Sequence, residues 1–479
     1  MGNRARFALL GPSVLALLAL AGIAPGAVGA QERDARAEAY IVVLKDGAGD
    51  PATTSKRLAQ RYGAAPTAVF RHALKGYAAR LTEAEATALR ADSAVRFVSK
   101  QRRYRHDPPR RHAQAPVSCR VTSLETEQCL PAWADRIEAD RSSARSGDGG
   151  GTVTGVRVAV IDSGIQGTHP DLNVRGDTDC NSGSPVLPGT SLVAPDPHGT
   201  EAAGVIGAKD NGIGVVGVAP GAELWAVKAF PDDPDELGSD AAGLCAVDWI
   251  VSTRTDADPA NDIHVANMSF TREDPEAPVA DQDDEACGTL NNDVFHLAVC
   301  NAVRAGITVV AAAGNRNQDL ARYGPAAYQE VVAATAMVDF DGRPGAEGRP
   351  DCQGLDFGLF GDADDQATLE FSNFARSARD REHTVAAPGV CMVTTSSDPA
   401  APYTAVDGTS FASPVTAGTA ALCIAHGPCG HSTPARNLRT IVDDAARHTR
   451  RHPGYGFDGD PNHPFPGRYY GPLVHAGRY

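Results

Sequence analysis

Val156-Arg157-Val158-Ala159-Val160-Ile161-Asp162-Ser163-Gly164 carries the reading of the fold. All but one of the side chains from Val156 to Ile161 are apolar. A strand apolar on both faces suits the interior of a parallel sheet rather than a half-solvated antiparallel one. The pattern recurs in Ile307-Thr308-Val309-Val310-Ala311-Ala312-Ala313 and again from Val331 to Ala336. Helical stretches lie between, from Gly199 to Ala208 and from Asn292 to Arg304. Alternating strands and helices predict an α/β domain, doubly wound, with a mostly parallel sheet flanked by helices. Acidic, Gly/Pro-rich segments at 231–240, 271–288 and 339–368 read as surface loops.

Towards the N-terminus the pattern changes. Residues 39–106 read as a small α+β unit. Tyr40–Leu44, Ala68–Phe70, Tyr77–Leu81 and Val95–Val98 are β-rich runs, and Thr53–Tyr62 is a helix ended by Gly63. Thr82-Glu83-Ala84-Glu85 opens a second helix with a capping signal. Arg102–Pro116, rich in Arg, His and Pro, has linker composition. Ahead of the unit, Arg4 and Arg6 precede an apolar stretch from Phe7 to Ala24 and a small-residue end at Val28-Gly29-Ala30. That order predicts a secretory signal peptide over 1–30, cut after Ala30, and an exported chain.

The chain has 479 residues and a net charge of −15, with 42% apolar and 22% charged residues. Disorder throughout and a multi-pass membrane protein are excluded, since only one long uncharged apolar run exists. Residues 1–116 carry a net +10 and the remainder −25, two modules of opposite sign that attract each other. The acidic module argues against nucleic acid as a partner, because phosphate binding needs a positive face. All ten cysteines lie between Cys119 and Cys429, which in an exported chain suggests up to five disulfides. Cys423 and Cys429 are close enough in sequence to pair, as are Cys119 and Cys129. With no CxxC and no finger spacing, structural zinc is not expected.

Three segments bear chemistry. Asp162 ends the first buried strand, His198 stands where a helix begins in Asp196-Pro197-His198-Gly199-Thr200-Glu201, and Ser410 precedes an Ala-rich helix in Asp407-Gly408-Thr409-Ser410-Phe411-Ala412-Ser413. Singly, these are a strand-end cap, a structural histidine and a common turn. Together they are an acid, a base and a nucleophile. The G-x-S-x-G elbow of α/β-hydrolases is absent around Ser410, and H-E-x-x-H is absent around His198.

Long blocks then fix the comparison: VAVIDSGIQGTHPDL, DPHGTEAAGVIGA, NGIGVVGVAPGAELWAVK, VANMSF, GITVVAAAGN, FSNFA, VAAPGV and GTSFASPVTAG, in that order. Over roughly 130–450 the chain resembles the subtilisin-like serine peptidases (subtilases). YIVVLK, KGYAARLTEAEATAL and VRFVSK resemble, more loosely, the inhibitory propeptide of such enzymes. The resemblance implies Asp162, His198 and Ser410 as the catalytic triad and Asn315 as an oxyanion donor, in a secreted serine endopeptidase made as a zymogen. The alternative is a silent relative that binds peptides, although such a protein usually lacks one of these four residues.

The resemblance further implies that polypeptide substrate lies along Ser269, where Thr271 replaces the family's usual Gly. Ala312, Ala313 and Gly314 would line the primary pocket and Tyr323 its far wall, a proteinase-K-like feature, implying broad preference for apolar or aromatic side chains; the acidic surface alternatively favours basic peptides. It implies structural calcium, with side-chain oxygens from Asp171 and Asn211 and backbone carbonyls from Lys209, Ile213 and Val215; such a cation takes about six to eight oxygens. The cluster Asp362, Asp364 and Asp365 reads instead as a solvated loop. The expected organisation is a signal peptide over 1–30, an inhibitory propeptide over 31–116, a catalytic domain over 117–450 and a C-terminal extension over 451–479. The propeptide acts as intramolecular inhibitor, its end between Tyr104 and Ser118 lying in the cleft. The mature protein is expected to be a monomer away from membrane and nucleic acid.

Overall fold

The computed structural model describes residues 37–104, 110–112, 123–186, 192–234, 236–272, 283–349 and 363–479. The expected signal peptide lies outside the described residues. Among the described residues no helix is long and apolar enough to cross a membrane.

The front unit is a four-stranded antiparallel sheet in the order Pro66–Phe70, Gly76–Leu81, Glu38–Leu44, Val95–Lys100. Two helices, Pro51–Tyr62 and Glu83–Arg90, cover one face. Asp50 caps the first through the Thr53 amide. Thr82 and Glu85 form both bonds of a capping box on the second. The other face, with Ile41, Val43, Phe70 and Phe97, shares an apolar cluster with Val247, Phe295 and Leu297 of the large unit. This sheet is therefore buried on both faces, one of them against another unit.

The large unit is built on eight strands. Their order is Gln366–Ala367, Val332–Val338, Thr308–Ala312, Val265–Met268, Arg157–Asp162, Glu223–Lys228, Val174–Asp179, with Thr384–Pro388 also paired to Val332–Val338. Only Gln366–Ala367 is antiparallel. Arg157–Asp162 is central, bonded on one side to Val265–Met268 and on the other to Glu223–Lys228. Its residues Val158 to Ile161 are fully buried, as both-sided apolarity requires. Helices Asp240–Thr253 and Val294–Arg304 pack on one face of the sheet, and His198–Gly207 and Thr409–Ala425 on the other.

Three expectations are corrected. The linker Arg102–Pro116 contains paired strand: Arg103–Tyr104 lies antiparallel to Gly238–Ser239, and Arg110–His112 antiparallel to Ala405–Asp407. Composition described the segment, but unpaired edges of the large unit supply its hydrogen bonds. The loop 231–240 ends in a fully buried residue, Asp240, which opens a helix and pairs with Arg272. Asp364 and Asp365 are buried rather than solvated. Asp364 accepts the amides of Phe340 and Gly348, and Asp365 accepts Arg136 and the amides of Gly345 and Ala346. Asp362 lies outside the described residues.

Disulfides join Cys180 to Cys245, Cys287 to Cys300 and Cys423 to Cys429, and Cys129 and Cys391 are also disulfide-bonded. Cys119, of the expected Cys119–Cys129 pair, lies outside the described residues. The C-terminal segment follows the sheet edge, with Tyr470, Leu473 and Val474 fully buried and Leu473 bridged to Ala386.

Candidate active site

Asp162 is the last residue of the central strand, and its carboxylate is buried. Its Oδ1 accepts the Ser163 amide at 2.7 Å and His198 Nδ1–H at 2.8 Å. His198 is the first residue of its helix. Gly199 permits that approach: a Cβ there would stand 2.2 Å from the Gly164 carbonyl oxygen. The helix start is thus wedged against the loop that follows Asp162. Burial pushes the imidazole pKa down, but the carboxylate of Asp162, with Asp196 and Glu201 beyond it, overrides burial and raises it to about 9.

Ser410 is the second residue of the helix Thr409–Ala425, which packs against the His198 helix. The Phe411 ring stands 5.7 Å from the His198 ring. The Ser410 hydroxyl is turned to the Ser269 carbonyl oxygen at 3.3 Å. In return the Ser269 hydroxyl donates to the Ser410 carbonyl at 2.7 Å. Asn267 extends this lattice, donating to Ser269 at 2.9 Å and accepting from Ser413 at 2.7 Å. Ser269 is fully buried beyond the end of a central strand, so its side chain clamps the serine helix rather than facing a groove.

Asn315 follows the strand Thr308–Ala312 and is half-buried. Its carbonyl oxygen accepts the Thr409 amide at 2.9 Å and the Thr409 hydroxyl at 2.7 Å. That fixes which end of the amide is which and leaves the NH2 group beside Gly408, where a Cβ would lie 3.3 Å from it. Gly408 has φ +148°, a conformation side chains disfavour. The Asn315 NH2 group and the Ser410 amide therefore lie around one point beside Gly408, 3.3 and 3.6 Å from where its Cβ would stand.

Ala312, Ala313 and Gly314 are buried at the same strand end, and the Gly314 amide donates to the Thr409 hydroxyl at 3.0 Å. Tyr323 is buried, its hydroxyl donating to Gln318 at 2.8 Å, and precedes a cis Gly324–Pro325 bond. Asp171 is fully buried. Its oxygens accept the Asn211 side-chain amide at 3.2 Å and the Val215 amide at 3.1 Å. Burial pushes its pKa up to about 7. The Lys209 ammonium turns away to the Pro170 carbonyl, and the Asn211 oxygen accepts the Ile213 amide. A buried carboxylate with only neutral donors fits a cation site, provided the Asn211 amide turns its oxygen inward.

Sequence reasoning missed a second set of residues. Arg272 is fully buried and pairs with Asp240 at 3.0 Å and Asp293 at 2.6 Å. Asp248 accepts the backbone amides of Arg71, His72 and Ala73 from the front unit at 3.0, 2.6 and 2.7 Å. The one available signal was an arginine directly after Thr271, where the family pattern already departs.

An oriented imidazole, a serine at a helix start and two converging donors, at the carboxyl ends of a doubly wound parallel sheet, define a serine hydrolase. Residues 153–457 match the subtilase family, and residues 39–107 match the peptidase inhibitor I9 domain. The chain belongs to the subtilase family: it is a serine-type endopeptidase made as a zymogen with an inhibitory propeptide domain. It is 32% identical over 311 residues to subtilisin BL of Lederbergia lenta, covering 65% of this chain and 90% of that protein. Subtilisin E of Bacillus subtilis is 31% identical over 309 residues, covering 64% of this chain and 63% of its own. A thermostable alkaline protease of Halalkalibacterium halodurans is 31% identical over 324 residues, 68% of this chain and 67% of its own.

Proposed function

We propose that peptide bonds are cleaved by acyl transfer to Ser410. The observation that carries this reading is the buried 2.8 Å contact between Asp162 and His198 beside the Ser410 helix. Substrate entry turns the Ser410 hydroxyl from Ser269 to Nε2 of His198, a tightening common when a site fills. His198 takes the hydroxyl proton as the oxygen attacks the carbonyl carbon. Asp162 keeps the Nδ1–H tautomer and stabilises the imidazolium. The developing oxyanion takes hydrogen bonds from the Asn315 NH2 group and the Ser410 amide. His198 then gives its proton to the leaving amine, and water reverses the sequence to free the acid. A serine-directed phosphonate tests this: it should label Ser410 in the mature enzyme, and no adduct would refute the reading.

Residues 1–30 direct export to the extracellular medium and are removed. Residues 31–116 inhibit, 117–450 catalyse and 451–479 extend the catalytic domain. Ala312, Ala313 and Gly314 offer a pocket of small bulk, with Tyr323 as its far wall, suited to apolar side chains in many contexts. Substrate lies as an added strand, paired by backbone beyond Ser269. Calcium would be held by Asp171 and Asn211 through side chains and by the carbonyls of Lys209, Ile213 and Val215, and would supply charge balance for the buried carboxylate. The mature enzyme acts as a monomer.

A further inference from the structure

Tyr104 belongs to the segment that leaves the front unit, yet it is fully buried inside the large one. Its strand pairs with Gly238–Ser239, Tyr104 opposite Gly238. The ring stacks on Phe270 at 5.6 Å and meets Phe295 at 5.2 Å. Gly243 makes the space, since a Cβ there would lie 2.5 Å from the Tyr104 ring. Three phenylalanines, Phe230, Phe270 and Phe295, would suffice to hold a plain benzyl group.

The floor of this pocket is different. The Tyr104 hydroxyl donates to Asp240 Oδ1 at 2.5 Å. Asp240 is fully buried and held by Arg272, which is itself held by Asp293. Such a network is costly to bury unless its members are satisfied. Two residues earlier, the Arg102 amide donates to Asp240 at 2.7 Å and its guanidinium reaches Asp293 at 3.3 Å. The groups that meet the Tyr104 ring and hydroxyl, Gly243, Phe270, Phe295, Asp240 and Arg272, all belong to the large unit. From here the chain reaches Arg110–His112, paired to the strand that runs directly into Gly408-Thr409-Ser410. In sequence Tyr104 precedes that paired segment, so a bond cut between the two would have Tyr104 on its acyl side.

We infer that the pocket Tyr104 fills is a tyrosine-reading subsite of the mature enzyme: Asp240, fixed by Arg272, accepts the phenol of a substrate tyrosine, and Asp293 favours arginine two residues before it. The preferred substrates are extended polypeptides with Arg-x-Tyr upstream of the cut. This rests on the endopeptidase reading above. A site built around a hydrogen bond to a hydroxyl rejects the analogue lacking it, because a buried acceptor is then stranded. Arg272 stays with Asp240 when the phenol is absent, so the discrimination is about 10–100-fold rather than larger.

The test uses mature enzyme and internally quenched peptides. In these, Arg-Arg-Tyr, Arg-Arg-Phe or Ala-Arg-Tyr is stepped one residue at a time upstream of a common cleavage residue. At one register, remote from the bond, kcat/KM should favour Tyr over Phe by at least about tenfold, and Arg over Ala two residues earlier. The Tyr/Phe ratio should fall towards unity in Asp240→Asn. Because that variant removes a buried charge, Tyr104→Phe in the full chain gives an independent check: inhibition after processing should weaken by a similar factor. Equal cleavage of Tyr and Phe peptides at every register, by enzyme that digests casein, overturns the subsite and leaves the protease intact. Failure to cleave casein or any peptide overturns both.

Discussion

Removing the Asp248 carboxylate should loosen the propeptide without touching the catalytic machinery. Asp248 lies on the helix Asp240–Thr253 and gathers three backbone amides of the turn Arg71-His72-Ala73 at 3.0, 2.6 and 2.7 Å. A hydrogen bond to a charged acceptor contributes about 1.5–3 kcal/mol when water cannot replace it. The Arg71 and His72 amides are exposed, so water takes over there; the Ala73 amide is part-buried and keeps most of the penalty. The Asn301 side chain still donates to the Ala73 carbonyl at 2.7 Å, so the turn stays in place. The net loss for Asp248→Ala is therefore about 2–3 kcal/mol, or about 30–150-fold in the dissociation constant. Once the chain is cut between the two units, the pieces should stay together as one complex. Serial dilution of that complex into a chromogenic peptide gives the constant from the activity regained. The variant should be half-active at a concentration about 30–150 times higher than wild type, with kcat of the free enzyme unchanged. A dilution curve superimposable on wild type would show that the Asp248 turn adds nothing to the hold on the propeptide.

Asn315→Ala should lower kcat by about 100-fold or more with little change in KM; the scale comes from oxyanion donors measured in subtilisin itself, not from this chain. Because the folded pKa of His198 is raised to about 9, kcat/KM should climb with pH and level off only above that value, and labelling of Ser410 should follow the same curve. The same shift stabilises the fold fully below the unfolded value of 6.5, and that increment disappears as pH rises through about 9, readable by denaturant unfolding of the Ser410→Ala protein. Arg272→Ala should destabilise that protein by about 3–5 kcal/mol, since Asp240 and Asp293 then lose their buried counter-ion. Chelation should lower its thermal midpoint, and Asp171→Asn should abolish the chelator effect; a midpoint indifferent to chelator would remove calcium from the account.

The parallel sheet was legible because each inner strand is apolar on both faces, a local property that survives in one dimension. Arg157–Asp162, Thr308–Ala312 and Val332–Val338 fall within a residue or two of the runs that announced them. The contact between acid and base was legible, because Asp162 ends a buried strand and His198 opens a helix, each with its own signature. The charge lattice under Tyr104 was not. Asp240, Arg272 and Asp293 stand 32 and 21 residues apart. Asp240 and Arg272 lay in segments read as surface loops and Asp293 at the start of a helical stretch, and nothing local marks a carboxylate whose counter-ion arrives from another loop. The linker failed for the same reason: Arg103–Tyr104 has no partner within its own module, and only the edge at Gly238–Ser239 makes it a strand.

That difference explains how the front module inhibits. Opposite net charges of +10 and −25 favour encounter, and such attraction acts on the association rate and fades with salt. They do not fix where the chain lies. The position is set by short-range contacts: an apolar sheet face on two helices, the Asp248 turn, Tyr104 in its pocket, and Arg110–His112 beside the strand leading to Ser410. Of the last two, Arg110–His112 pairs with the strand that leads to Ser410, and Tyr104 is anchored six residues before it. A chain held by both anchors should stay bound whether or not a bond between them is cut, so cutting alone should not free the enzyme. Raising the salt concentration should therefore slow reassociation of the separated pieces while leaving their dissociation rate nearly unchanged. Only loss of an anchor, as in Asp248→Ala, should speed dissociation.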